Sequence, residues 1–168
     1  METQLLTMTP ANAQKAYNNA EASIKKWMRE SYPDFNFDRK LIDRIDTYQD
    51  ACQELNIIPL AISDFSFIPS NDRESLYAYH QLTIIARVLN EGWEPDFSDS
   101  SQYKYYPYFV WNEEAAGGPG FSYRGYGYVR SYSFVGARLV FLDYDAMKWA
   151  TIQPEFVEIY KAWMTFSE

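Results

Sequence analysis

The sequence predicts an α+β fold: a helical N-terminal half packed on a small antiparallel sheet of about three strands, followed by a C-terminal helix. Three observations predict it. From Pro10 to Asn90 the apolar residues recur at steps of three and four, the helical period. From Gln102 to Leu142 the spacing shortens to two, the period of a strand with one buried face. After Asp143 the helical spacing returns. At 168 residues the chain fits one domain, which buries roughly two-thirds of its unfolded surface and needs neither a disulfide nor a metal to fold. Within residues 1–168, 1–9 are read as a disordered lead-in, 10–90 as mainly helical, and 91–168 as a tyrosine-rich sheet with a final helix.

Thr9-Pro10 starts the first helix, with Thr9 as cap and Pro10 at the first helical position. Ala13, Ala16, Tyr17, Ala20, Ile24, Trp27 and Met28 form one stripe, so a single helix is expected over 10–30 with Trp27 anchoring its end. Thr47 and Asp50 form an acidic capping box for a helix over 47–56, with Ala51, Cys52 and Leu55 inward. Residues 57–69 are apolar but irregular and read as a packed connector with room for a short strand. Asn71 and Glu74 pair as a capping box for a helix over 71–90 whose apolar residues cover more than one face. Asn90 and Gly92 stop it.

Strands follow over Gln102–Trp111, with Pro107 demanding an edge or a bulge, over Phe121–Arg130, weakened by Gly125 and Gly127, and over Ala137–Leu142. The loop 112–120 is rich in turn residues. Asp143 or Asp145 caps a short helix to Thr151, and Pro154 opens the last one, giving helix over 145–164. The expected core is Trp27, Leu55, Leu82, Ile85, Leu89, Trp93, Leu139, Phe141, Phe156 and Tyr160.

Charge narrows the partners. With 15 basic and 23 acidic residues the net charge is −8, which repels phosphate backbones and anionic membranes. Cys52 is the lone cysteine, so no intramolecular disulfide forms. The opening METQLLTMTP has no basic run and no long apolar run, and no membrane span is visible. A cytoplasmic protein is expected, or a virion-associated one if a phage encodes it. Aromatic residues reach 18%, with 15 tyrosines among them. Tyrosine joins an apolar ring to a hydroxyl that wants a partner, so the surplus signals a wet-edged core or a contact surface.

EGWEPDF (Glu91–Phe97), then KYYPYF (Lys104–Phe109), then GARLVF (Gly136–Phe141) resembles a family of uncharacterised proteins frequent in gut Bacteroidetes genomes, their phages and mobile elements. The resemblance covers the C-terminal two-thirds of the chain. It implies a phage or mobile-element setting and carries no chemistry.

The candidate binding residues are Tyr103, Lys104, Tyr105, Tyr106, Tyr108, Trp111, Tyr123, Arg124, Tyr126 and Tyr128. They fall in two expected strands that would form an aromatic face, and such faces hold partner side chains, sugars or bases. The bland alternative is that one face packs on the helices while the other shows hydroxyls to water. Trp93 after Gly92 reads chiefly as a plug at the core edge. Asp96, Ser98, Asp99 and Ser100 imitate a calcium loop but lack its central glycine and closing glutamate. Neither Gly117–Gly120 nor Gly125-x-Gly127 fits a nucleotide fingerprint. Cys52 with His80, the single histidine, is thin material for a nucleophile and base. No cofactor or metal is implied. The residues favour a non-enzymatic accessory or interaction protein whose partner is protein, self or other. A small-ligand or carbohydrate-binding domain, including a carboxylate-dependent hydrolase, stays open and requires a pocket lined by Trp93, Tyr105 and Trp111. Single-stranded nucleic acid is the third reading, set back by the net charge.

Overall fold

The computed structural model describes residues 10–112 and 120–165. Its elements run α1 (Pro10–Asn19), α2 (Ala22–Ser31), α3 (Tyr48–Leu55), α4 (Ser70–Leu89), β1 (Lys104–Asn112), β2 (Gly120–Val129), α5 (Tyr144–Trp149) and α6 (Pro154–Met164), with short 3-10 turns at Ile42–Arg44, Ile62–Phe65 and Ala137–Leu139. The fold is α+β as expected, with two strands in its sheet among the described residues where about three are expected. The expected disorder of 1–9, the Thr9 cap and the turn-rich segment 113–119 lie outside the described residues.

The helix expected over 10–30 is two helices. Asn18 and Asn19 precede the break, and their short amides compete with the helical backbone. Glu21 is extended (ψ 161°) and starts α2 afresh. The break resets the phase of the stripe, so Trp27 is 59% exposed and Ile24 is exposed beside it. Met28 turns inward instead and joins Tyr17 and Phe37 in a small satellite cluster. There Tyr17 and Phe37 stack at 4.5 Å. Trp27 therefore leaves the expected core.

The capping box of α3 forms as its spacing predicts: Asp50 N–H donates to Thr47 Oγ1 at 3.1 Å, and Thr47 N–H to Asp50 Oδ2 at 2.9 Å. The one expected for α4 does not. That helix begins at Ser70, which places Asn71 inside the first turn, and its N-cap Pro69 has no side-chain acceptor for a cap hydrogen bond. The Arg73 guanidinium instead holds the carbonyls of Ser66 and Ile68. The connector 57–69 holds a 3-10 turn and no strand, and much of it faces outward, Ile58 and Phe67 most of all.

α4 is the spine. Ala78, Leu82, Ile84, Ile85, Ala86, Val88 and Leu89 are buried along it, and α3, α6 and the turn at Ala137–Leu139 pack around it. It stops at Asn90, after which Glu91 (φ 50°) and Gly92 (φ 85°) are left-handed. Leu139, Phe141, Phe156 and Tyr160 complete the main cluster as expected, with Leu55 packed partly buried against it. Trp93 is only half-buried.

The third strand expected over 137–142 is replaced by the 3-10 turn and a single bridge between Phe141 and Tyr105. Leu139, Val140 and Phe141 are buried in succession, which a strand with one wet face does not permit. The buried Asn90 side chain stands where a neighbouring strand would stand. Its Nδ2 donates to Val140 O at 2.8 Å and its Oδ1 accepts from Leu142 N–H at 2.9 Å. α5 starts on Asp143, whose Oδ1 accepts from Ala146 N–H at 2.8 Å. α6 is tied back to α3 where Glu155 Oε1 accepts from Tyr48 N–H at 2.9 Å.

Candidate functional site

β1 and β2 form an antiparallel hairpin with Tyr105 opposite Tyr128, Tyr106 opposite Gly127, Pro107 opposite Tyr126 and Tyr108 opposite Gly125. The register then slips, so that Phe109 opposes Tyr123 and Arg124 becomes the extra residue of a bulge. Tyr105 exchanges both backbone hydrogen bonds with Phe141, at 3.0 and 2.8 Å. Its N–H and C=O therefore point away from β2, and so do the backbone groups two residues on, at Pro107. The donor that proline lacks falls on the edge outside the hairpin, which is why the ladder tolerates it.

Register sorts the predicted residues by face. Tyr105, Phe109, Trp111, Tyr123, Tyr126 and Tyr128 share one face, the side turned to the helices. Phe109 lies 4.7 Å from both Phe121 and Tyr160. Lys148 sits 4.2 Å over the Tyr123 ring and Lys161 5.9 Å over Trp111. This face is core at its Phe109 end. It overhangs at its other end, where Tyr126 (44% exposed) and Tyr128 (57% exposed) reach solvent and Tyr144 meets Tyr126 at 5.0 Å.

The opposite face carries Tyr106, Tyr108 and Val110 over Gly127, Gly125 and Ser122. The two glycines are what let these rings lie across the strand. A methyl group at Gly125 would stand 2.5 Å from Tyr108 Oη, and one at Gly127 would run into the Tyr106 ring. Phe134 leans on Tyr106 at 5.7 Å and Tyr132 on Phe134 at 5.5 Å. Burial raises the Tyr106 hydroxyl above its ordinary range, with Tyr132 and Tyr108 adding to it. Tyr108, Val110, Tyr132 and Phe134 are all exposed, Phe134 by 70%.

Two of the predicted residues serve the frame. Lys104 is fully buried. Its ammonium donates to Gln102 O at 3.0 Å and Arg130 O at 2.8 Å, 5.0 Å from the Phe97 ring centre, so it pins the foot of the hairpin and is closed to a ligand. Tyr103 packs edge-on against Tyr128 at 5.1 Å, and Arg130 caps its ring at 4.4 Å and donates to its hydroxyl. Phe134, Tyr144 and Leu142 belong to the exposed surface but were absent from the predicted set. The alternation Tyr132-Ser133-Phe134 was a signal for the first, whereas contact through α5 and the Asn90 tie brings in the others.

Elsewhere the chemistry is muted. Burial pushes the Cys52 thiol up and, followed by the Arg87 charge, the His80 imidazole down. Those are the reverse of the shifts that make a thiolate and a proton acceptor. Asp96 Oδ1 accepts from both the N–H and hydroxyl of Ser98, and Asp99 Oδ1 likewise from Ser101. These bonds, the serine hydroxyls first, hold both carboxyls below their ordinary range and shape two successive turns. Among the described residues no group of three or more His, Cys, Asp and Glu converges to hold a metal ion. Four hollows lined by described residues lie away from the hairpin. One of about 420 Å³ is lined by residues from Asp34 to Glu54. Another of about 470 Å³ lies between α1, the segment 37–44 and the head of α5. Neither contains Trp93, Tyr105 or Trp111. Among the described residues no helix is long and apolar enough to cross a membrane. No family model, no curated protein and no solved structure matches the chain.

Proposed function

We propose that the chain is a non-enzymatic interaction protein that holds a protein partner on its aromatic hairpin. The observation that carries this reading is the hairpin face of Tyr106, Tyr108, Val110, Tyr132 and Phe134. It is aromatic and turned away from the helices, and its outer members are exposed. Clustered exposed aromatics are the usual anchors of protein interfaces, because they bury large area at low entropy cost. Fixing Tyr106 and Tyr108 across Gly127 and Gly125 holds them ready before a partner arrives. With Lys104 engaged inside, two exposed arginines remain on the described hairpin of a chain of net charge −8. That balance favours protein over a phosphate backbone. The phage or mobile-element setting enters the proposal through the Glu91–Phe97, Lys104–Phe109 and Gly136–Phe141 motifs alone.

The test replaces Tyr108, Tyr132 and Phe134 together by alanine. Partners of wild type and variant are captured from native-host extract and quantified by mass spectrometry, with folding checked by circular dichroism. A folded variant that recovers the same partners in the same amounts refutes the proposal. Retention on a glycan array, lost in the variant, would favour the carbohydrate reading instead.

A further inference from the structure

The hairpin has two edges, and they are unlike. The outer edge of β1 is closed at Tyr105 by Phe141 and lacks a donor at Pro107. The outer edge of β2 is open. Tyr105–Tyr128 and Pro107–Tyr126 are the pairs that do not exchange hydrogen bonds, since Tyr105 gives both of its own to Phe141. The amides and carbonyls of Tyr126 and Tyr128 therefore point outward. Among the described residues no backbone or side-chain group bonds to them. Both residues are exposed, and β2 carries no proline or lysine; its one edge-disrupting feature is the bulge at Arg124, which ends the open stretch on that side.

Charge says what fits there. The described residues of the hairpin and its following loop, 103–112 and 120–135, contain Lys104, Arg124 and Arg130 and no acid; Glu113 and Glu114 fall in the undescribed connecting loop. Lys104 is buried on carbonyls and Arg130 is spread over Tyr103. Arg124, thrown outward by the bulge, is exposed and has no hydrogen bond or ion pair among the described residues. A second copy of this chain would bring the same cation to the same edge. An extended acidic segment offers its backbone to the outward groups of Tyr126 and Tyr128 and a side-chain carboxylate to Arg124.

We infer that the outer edge of β2 takes an extended, acidic segment of a partner protein as a third strand. Tyr126 and Tyr128 supply the backbone hydrogen bonds, and Arg124 receives a carboxylate of the incoming strand. The inference rests on the hairpin being the binding surface and adds the partner's chemistry and mode of docking.

The full chain is used to select binders from a random displayed peptide library, and the enriched peptides are synthesised. The expected peptides are rich in Asp, Glu and strand-forming residues and poor in proline. Saturation with them protects the Tyr126 and Tyr128 amides from hydrogen exchange. Arg124→Glu weakens them by about tenfold or more, the loss expected for a charge-assisted hydrogen bond turned into a repulsion. Arg124 is exposed and makes no hydrogen bond or ion pair among the described residues, and circular dichroism checks that the variant is folded. Enrichment of basic or neutral peptides, or of nothing, overturns the inference. Peptides that leave the two amides unprotected yet depend on Tyr108, Tyr132 and Phe134 overturn it while sparing the aromatic surface. Peptides indifferent to every hairpin substitution overturn both. Self-association of the chain that disappears in Tyr126→Pro would make a second copy the occupant and likewise overturn it.

Discussion

Asn90 is the residue through which the helical spine positions the hairpin, and its replacement by alanine has a calculable effect. The side chain holds Val140 O at 2.8 Å and Leu142 N–H at 2.9 Å. Val140 is wholly buried, so its carbonyl finds no water when the amide is gone, a loss of about 1–3 kcal/mol. Leu142 is exposed, so its N–H turns to solvent and the loss there is about 0.5–1.5 kcal/mol. The backbone of Asn90 is right-handed helical (φ −81°, ψ −1°), so alanine brings no strain. The sum is about 1.5–4.5 kcal/mol, or roughly 3–18 °C in Tm for a domain of this size. Urea unfolding followed by circular dichroism measures it, and hydrogen exchange at the Phe141 and Tyr105 amides shows whether the bridge to β1 loosens as well. Asn90→Asp sharpens the test. A charged carboxylate faces the Val140 carbonyl and destabilises at neutral pH, whereas the protonated acid restores a donor, so its deficit shrinks on acidification. A stability within about 0.5 kcal/mol of wild type for Asn90→Ala, with unchanged Phe141 protection, would refute the role assigned to this side chain.

Three further outcomes follow from the same structure. The hydroxyls of Tyr48 and Tyr160 are pushed well above 10, burial being the first cause. The unfolded chain loses those protons first, so their stabilisation is complete below the ordinary tyrosine range and is lost as pH rises above it. Tyrosine absorbance titration should show a late class that appears only with unfolding, and simple titration of every tyrosine in the native state would contradict it. The Gly127 and Gly125 α-protons should be shifted upfield by the rings across them, and Tyr106→Leu should abolish the Gly127 shift while leaving Gly125 alone; unshifted glycine signals in wild type would remove the cross-strand packing. Finally, Trp27→Gln should change stability by less than about 0.5 kcal/mol, as for an ordinary surface position, and a loss above about 2 kcal/mol in urea unfolding would restore Trp27 to the core.

Local signals in the sequence located most elements. Thr47 with Asp50, Asp143 and Pro154 mark helix starts through bonds or ring geometry spanning three residues or fewer, and such signals survive in any tertiary setting. The hairpin was legible for the same reason, since its alternation is a local period. The misplaced elements each depend on something distant. Trp27 follows the period of a continuous helix, and only the break at Glu21 turns it outward. Residues 137–142 have the composition of a strand, but Asn90, far away in sequence, occupies the place of the strand they would pair with.

The candidate site divides in the same way. Composition and spacing alone indicated that the tyrosines and glycines of 103–128 would fall in two strands of a sheet expected to have about three, in an acidic α+β protein. They left open which side of the ribbon faces water, because a period of two assigns alternate residues to opposite faces without saying which face meets the helices. Tertiary structure decided that through Phe109 on Tyr160. It also drew Lys104 inside, threw Arg124 outward at the bulge and closed the β1 edge with Phe141. Each of these depends on register, and register is fixed by contacts between residues far apart in the chain.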